Sequence, residues 1–237
     1  MSTATAAPAG RKSSALLTFY QSSIGKKWVV ALTGLALVGF VIGHLIGNLQ
    51  IFLPPEYINT YAQKLQSLGP LLWIIRFGLL AMFFLHVVNT IALVRENREA
   101  RPSRYAVERT KRATTASLTM FISGLTLLAF IIFHLAHFTL GAVPTTDIAV
   151  MDPLGRRDVY RMMVGGFRNP WVSGFYLISM ALLCMHITHG FQSVFQTLGL
   201  RTRKLAPLFS ITSIGLGWFL FLGNAAIVLA VLFRFVK

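Results

Sequence analysis

The stretch LTMFISGLTLLAFIIFHLAHFTL, residues 118–140, determines the class of fold. It contains no Asp, Glu, Lys or Arg and supplies the ~20 helical residues that cross a bilayer. Four further apolar runs lie at residues 28–53, 71–94, 171–198 and 208–233. Only 12% of the 237 residues are charged, against about 25% in soluble domains. The sequence therefore predicts an all-α integral membrane bundle of five transmembrane helices.

The charge of the connecting segments predicts the orientation. The net charge of +15 resides in short segments between apolar runs, which excludes a nucleic-acid-binding surface as its explanation. Residues 1–27, 95–112 and 199–206 hold fourteen basic and three acidic side chains, so the positive-inside rule places the N-terminus in the cytoplasm and the C-terminus outside. We expect a cytoplasmic segment at 1–27, one transmembrane domain at 28–237, and a cap formed by the long 141–170 loop.

All the histidines of the chain fall inside predicted spans. They are His44, His86, His134, His137, His186 and His189. An ionisable side chain within a membrane is costly and indicates a functional site. A proton relay usually includes carboxylates, and the predicted spans contain none, which favours metal binding by neutral imidazole. Polar packing between helices is the alternative explanation.

The depth of the histidines predicts two layers. At 1.5 Å per residue, His44 and His134 lie late in outgoing helices, in the outer half of the bilayer. His86 lies late in a returning helix, and so do His186 and His189, in the middle to inner part. Two stacked bis-histidine sites follow, which suit two b haems. The single cysteine excludes the C-x-x-C-H attachment of a c-type haem.

Two H-x-x-H motifs leave a choice of ligand. Thr33-Gly34 precedes His44 by ten residues, and Ser123-Gly124 precedes His134 by the same ten, a short internal repeat that favours His134 over His137. We interpret the glycines as places where a flat macrocycle can approach the helix backbone. In the fourth span the residues alone leave His186 and His189 open.

Four stretches carry a family resemblance: SSIGKKWVVALTGLALVGFVIGHLIGN, LLWIIRFGLLAMFFLHVVN, SGLTLLAFIIFHLAHF and MHITHGFQSVFQTLG. Through them nearly the whole chain resembles the five-helix dihaem cytochrome b membrane-anchor subunit of succinate dehydrogenase and fumarate reductase, the succinate:quinone oxidoreductases. The resemblance implies that His44 and His134 ligate a distal haem, and His86 and His186 a proximal one. The spacing of His186 from Leu198-Gly199 matches that family and favours it over His189.

The resemblance also implies partners and a function. The chain would pass electrons from an iron–sulfur subunit through two b haems to menaquinone or ubiquinone. It would not oxidise succinate by itself, because the flavin and the clusters reside in a flavoprotein subunit and an iron–sulfur subunit; the chain would contribute the quinone site. We expect a multi-pass protein among the lipids of a bacterial cytoplasmic membrane. The alternatives are a dihaem cytochrome b of another respiratory enzyme and a cofactor-free proton-coupled transporter.

Further contacts with haem propionates or quinone are expected at both edges of the membrane. The candidates at the inner edge are Ser22, Ser23 and Lys27. Arg76 is the candidate at the outer edge, where Glu56 could exchange quinone protons. His137 and His189 are expected either to contact a propionate or a quinone, or to pack between helices.

Overall fold

A computed structural model describes residues 14–100 and 119–237. The helices within these ranges are α1 (Ala15–Gln21), α2 (Ser23–Asn48), α3 (Pro55–Gln66), α4 (Pro70–Glu99), α5 (Met120–His134), α6 (Val159–Phe167), α7 (Pro170–Thr197) and α8 (Ala206–Leu232). Five described helical segments are long and apolar enough to cross a membrane: α2 with the turn after it (Ser23–Phe52), α4, α5 with the turn after it (Met120–Thr139), α7 and α8. The prediction of an all-α bundle with five spans is confirmed. The orientation of the termini stays a prediction.

Local sequence signals set the helix ends. Ser22 caps α2, its Oγ accepting a hydrogen bond from the Gly25 amide at 3.0 Å, so the first span begins at Ser23 rather than at Trp28. Proline occupies the first position of α3, α4 and α7, where its missing N–H costs no helical hydrogen bond. Two extensions follow spans: a 3-10 turn at Leu49–Phe52 after α2, and a π-helical turn at Leu135–Thr139 after α5.

The spans pack as two helix pairs joined in the middle. α2 packs against α4, α5 packs against α7, and α2 contacts α7; α8 packs along α7 and also touches α2. The outward side of α4 carries exposed Ile74, Phe77 and Phe84, as expected of a helix that faces lipid. This arrangement brings one helix of each pair to the centre of the bundle.

The two ends of the bundle differ. α3, α6 and residues 140–158 lie over one end, which we call the cap end. The other end, which we call the basic end, carries α1, the end of α4 and the 198–205 connection. The buried core lies toward the cap end, where Leu45, Ile58, Phe167, Tyr176 and Val228 belong to one apolar cluster.

The cap is more regular than the sequence analysis expected. Residues 141–170 were predicted as a loop, but α6 occupies 159–167, and α3 and α1 were not predicted at all. Asn59 of α3 is buried and bonds the start of α6: its Nδ2 donates to Asp158 Oδ1 at 3.1 Å and its Oδ1 accepts from the Tyr160 amide at 3.1 Å. These bonds fix α3 onto α6.

Candidate functional site

The structure brings His44 and His134 together at the cap end of the spans. Their ring centroids are 5.8 Å apart and their planes are perpendicular. Two imidazoles that bind one metal ion from opposite sides, each with a metal–nitrogen distance of about 2 Å, have centroids about 6 Å apart. Phe40 stacks on His44 at 5.4 Å and Phe130 stacks on His134 at 5.7 Å, each one turn earlier in its own helix. We call His44 and His134 the cap-side pair.

His86 and His186 form a second pair, nearer the basic end. His86 lies on α4 with its Nδ1 against α2, and His186 lies on α7 with its Nδ1 against Ser123 of α5. We call them the basic-side pair. Each follows the proline that begins its helix, Pro70 or Pro170, by sixteen residues. This equal spacing is a further sequence signal that both histidines lie at one depth.

Hydrogen bonds fix the tautomer of His86. Its Nδ1 lies 3.1 Å from the backbone oxygen of Val30, which can only accept, so Nδ1 carries the hydrogen. The hydroxyl of Thr33 donates to the oxygen of Val29 at 2.6 Å and therefore also accepts from His86 Nδ1, at 3.3 Å. The Nε2 atom is then left with a free lone pair, the form of imidazole that binds a metal.

His186 is held in the same way by α5. Its Nδ1 lies 3.3 Å from Ser123 Oγ, whose own hydrogen goes to the oxygen of Met120 at 3.0 Å. With that hydrogen on the Met120 oxygen, the serine oxygen accepts from Nδ1–H, which leaves Nε2 free on this ring as well. Both imidazoles of the basic-side pair thus present an Nε2 lone pair.

The short repeat seen in the sequence lies against the basic-side pair. We call the place where an imidazole packs against Thr33-Gly34 or Ser123-Gly124 a glycine seat. A Cβ added at Gly34 would lie 3.1 Å from His86 Cε1, and one added at Gly124 would lie 3.6 Å from His186 Cε1. The two glycines therefore admit an imidazole, which differs from the flat macrocycle that we had expected there. With Phe40 and Phe130 included, the repeat reads [Thr/Ser]-Gly-x5-Phe-x3-His on both α2 and α5.

The remaining two histidines differ from each other. His137, in the π-helical turn after α5, is fully buried with hydroxyl groups on both ring nitrogens. His189 is half-buried on α7 and has no hydrogen-bond partner among the described residues. Of the H-x-x-H motif on α5, only His134 faces the other helix pair through His44.

The candidates at the basic end occupy different settings. The Ser22 hydroxyl donates to the oxygen of Phe19 at 2.6 Å and caps α2, so it is committed to the turn between α1 and α2. Ser23 and Lys27 are exposed. Lys26, which the sequence analysis passed over, pairs with Glu96 and joins the basic ends of α2 and α4.

The candidates at the cap end are Arg76 and Glu56. Arg76 lies over the Trp73 ring at 5.0 Å and lines, with Gln66 and Arg157, an open cavity of about 670 Å³. The carboxylate of Glu56 accepts two hydrogen bonds from Arg156, both at 2.7 Å. This bonding lowers the pKa of Glu56, so the group stays ionised and is poorly suited to exchange protons near neutral pH.

Among the described residues, the candidate metal-binding side chains occur as pairs of histidines. No group of three or more His, Cys, Asp or Glu side chains among residues 14–100 and 119–237 could enclose a metal ion. Two histidines facing each other from different helices suit a metal whose remaining ligands come from a macrocycle, which is the arrangement in bis-histidine haem. The cap-side pair therefore fits haem b through its facing rings, and the basic-side pair supplies two further imidazoles on different helices.

Comparison with known proteins gives the family. A family model described as the succinate dehydrogenase/fumarate reductase transmembrane subunit matches residues 94–223, more than half of the chain. The chain belongs to this family. No curated protein and no solved structure matches it.

The succinate dehydrogenase/fumarate reductase match and the geometry cover different residues. The matched range contains His134 and His186 but begins in α4 after His86, and so excludes His44 and His86. Those two histidines are connected to the site by their contacts with α5, α7 and the α2 backbone. As a member of this family with five apolar helices, the chain is a multi-pass membrane protein.

Proposed function

We propose that this succinate dehydrogenase/fumarate reductase membrane subunit is a dihaem cytochrome b. His44 and His134 would hold the distal haem, and His86 and His186 the proximal one. Bound there, two haems would supply carriers for single electrons between a partner iron–sulfur subunit and a membrane quinone. The observation that carries the proposal is the hydrogen bonding of the basic-side pair: Nδ1 of His86 lies 3.1 Å from the Val30 oxygen and Nδ1 of His186 lies 3.3 Å from Ser123 Oγ, which leaves Nε2 of each ring for a metal.

The cap-side pair supports the same function. The 5.8 Å between the rings of His44 and His134 suits ligation of one iron from both sides. His44 is exposed and lacks a hydrogen-bond partner among the described residues. A polar ring without a partner is costly inside a membrane, and an iron bond removes that cost.

His186, rather than His189, is assigned as the fourth ligand. His186 bonds Ser123 beside Gly124 as His86 bonds Thr33 beside Gly34, so the two rings have equivalent seats. His189 has no such seat. We propose that it contacts a haem propionate or a quinone, or packs between helices.

The wider setting follows from the family and the charge distribution. We propose that residues 28–237 act as one transmembrane domain in a bacterial cytoplasmic membrane, with the segment 1–27 and the basic end inside and the cap end outside. The iron–sulfur subunit, which connects to the flavoprotein subunit, would dock on the basic end. Ser23 and Lys27 are exposed there as candidate quinone or propionate contacts, whereas Arg76 is the propionate candidate at the cap end.

The test is haem content with defined histidine variants. In the purified complex we expect two b haems per chain, measured as reduced-minus-oxidised absorbance against protein. His44→Ala or His134→Ala should remove the distal haem alone, and His86→Ala or His186→Ala the proximal one. His189→Gln, which changes a histidine not assigned as an iron ligand, tests the choice on α7 and should keep both haems.

Three outcomes would contradict the proposal. A wild-type complex without an iron-porphyrin spectrum would indicate a cofactor-free transporter or a haem-free anchor. Loss of both haems to the same extent in all four variants would argue against two separate sites. Loss of the proximal haem from His189→Gln, with retention in His186→Ala, would reverse the assignment on α7.

A further inference from the structure

A buried hydrogen-bond chain leads from the cap to His134. The hydroxyl of Tyr176 lies 3.1 Å from Nδ1 of His134 and 3.0 Å from Nδ1 of His137. On the other side of the His137 ring, Nε2 lies 3.2 Å from the hydroxyl of Thr145 and 2.5 Å from that of Thr146. The haem-ligand assignment uses neither His137 nor Tyr176, although His137 is fully buried and Tyr176 only 5% exposed.

The hydrogen bonds between His134, Tyr176, His137 and the threonines all run in one donor-to-acceptor direction when His134 binds iron. Ligation through Nε2 places the ring hydrogen on Nδ1, which then donates to the Tyr176 oxygen. The tyrosine has a single hydrogen of its own, and the acceptor within reach is Nδ1 of His137. His137 must then carry its hydrogen on Nε2 and donate to the threonine hydroxyls. The ring hydrogens of His134 and His137 and the hydroxyl hydrogen of Tyr176 are then all donated, and each bond strengthens the next.

The surrounding packing holds the chain in register. The rings of Phe130 and Phe167 meet the Tyr176 ring edge-on, with centroids 5.0 and 4.9 Å away. At Gly166 of α6 an added Cβ would lie 2.8 Å from the Phe138 ring and 2.9 Å from Thr146 Oγ1. Gly166 of the cap therefore packs directly against Thr146, the partner of His137. A larger side chain at Gly166 would collide with Thr146 and Phe138.

We propose that Tyr176 and His137 are positioning residues for the ligand His134, and that Thr146 makes the cap part of the distal haem site. This inference rests on the proposed function. A hydrogen bond from Nδ1–H to a good acceptor makes the imidazole a stronger electron donor, which stabilises ferric iron and lowers the reduction potential. His44 has no comparable partner among the described residues, so the chain acts on one ligand of the distal haem alone.

The experiment is a redox titration of the complete complex carrying single and double variants. Tyr176→Phe keeps the ring and removes the hydroxyl. We expect the midpoint potential of the distal haem, identified by its absence from His44→Ala, to rise while that of the proximal haem stays unchanged. Thr146→Val should shift the distal haem in the same direction by less. The double variant should match Tyr176→Phe, because a chain cut beside His134 no longer transmits the second change.

Ser179→Ala is the control. Ser179 lies on the same helix, is fully buried, and donates to the backbone oxygen of Phe175 at 2.8 Å without touching a histidine. It should leave both potentials unchanged.

Several results would overturn the inference. An unchanged distal potential in Tyr176→Phe would do so, as would additive shifts in the double variant, or an equal shift in Ser179→Ala. If Tyr176→Phe does not assemble, the distal potential of Thr146→Val is the deciding measurement. An unchanged distal potential in Thr146→Val would then refute the proposed hydrogen-bond chain. A wild-type complex without haem would refute the proposed function as well. Two haems in the wild type, with an unshifted distal potential in the variants, would refute this inference only.

Discussion

Substitution of Asn59 should detach α3 from the cap without disturbing the spans. Asn59 is 2% exposed, donates to Asp158 Oδ1 and accepts from the Tyr160 amide, both at 3.1 Å. Asn59→Ala removes two hydrogen bonds, worth about 1 kcal/mol each, and leaves the Tyr160 amide without this partner at a further cost of about 1 kcal/mol or more. We therefore expect α3 to open about 3 kcal/mol more easily, roughly a 100-fold rise in the open fraction.

Hydrogen–deuterium exchange of the solubilised complex measures this opening directly. Amides in α3 (Pro55–Gln66) should exchange roughly 100-fold faster in Asn59→Ala, while amides in α8 keep the wild-type rate. Asn59→Asp should be at least as disruptive, because it places an oxygen in place of the amide donor opposite the Asp158 carboxylate. Gln63→Ala is the matched control, since this exposed amide on the same helix makes no side-chain hydrogen bond among the described residues. Equal exchange in Asn59→Ala and Gln63→Ala would refute the reasoning.

Two further predictions concern the glycine seats and acid. Gly34→Ala places a Cβ 3.1 Å from His86 Cε1 and should lower proximal haem content, while Gly124→Ala, with its nearest contact at 3.6 Å, should keep wild-type content; equal haem loss in both would contradict the seat. Hydrogen bonds from Arg156 lower the pKa of Glu56 below its unfolded value of about 4.3. The Glu56–Arg156 ion pair therefore stabilises the cap above a pH of about 4.3, and this contribution is lost as the pH falls through the folded pKa of Glu56. The protection of α3 amides, taken relative to the intrinsic exchange rate at each pH, should therefore fall in acid. It should fall less in Glu56→Gln, and an identical fall in that variant would exclude Glu56 as its cause.

The spans were predictable and the cap was not. A bilayer forces each crossing segment to be long, apolar and helical, so hydropathy alone located all five. α3 and α6 are short and lie across the end of the bundle, where hydropathy carries little information. Signals for α3 were present: Pro55 at its first position, Glu56 in its first turn and Lys64 in its last. The hydrogen bonds of Asn59 join residues about a hundred positions apart, which no local pattern reveals.

The candidate site was predictable in its depth and less so in its contacts. Residue counting placed His44 with His134, and His86 at the height of both His186 and His189, because a helix converts sequence separation into height. The choice of His186 came from the family resemblance. Counting does not tell which neighbour a side chain faces. For that reason the Gly34 and Gly124 seats were interpreted for a macrocycle, although they receive imidazoles. The bonding of His137 depends on the π-helical turn after His134, which has no sequence signal that we recognise.

The division of ligands between the helix pairs has a consequence for assembly. The α2–α4 helix pair contributes one histidine at each height, and the α5–α7 helix pair contributes the other. Neither helix pair therefore contains both histidines of a proposed site. In the proposed dihaem protein, each haem would be held by one histidine from each helix pair and would join the two pairs at a different depth of the bilayer. For such a protein, haem insertion would also strengthen the association of the two helix pairs, which already touch through α2 and α7.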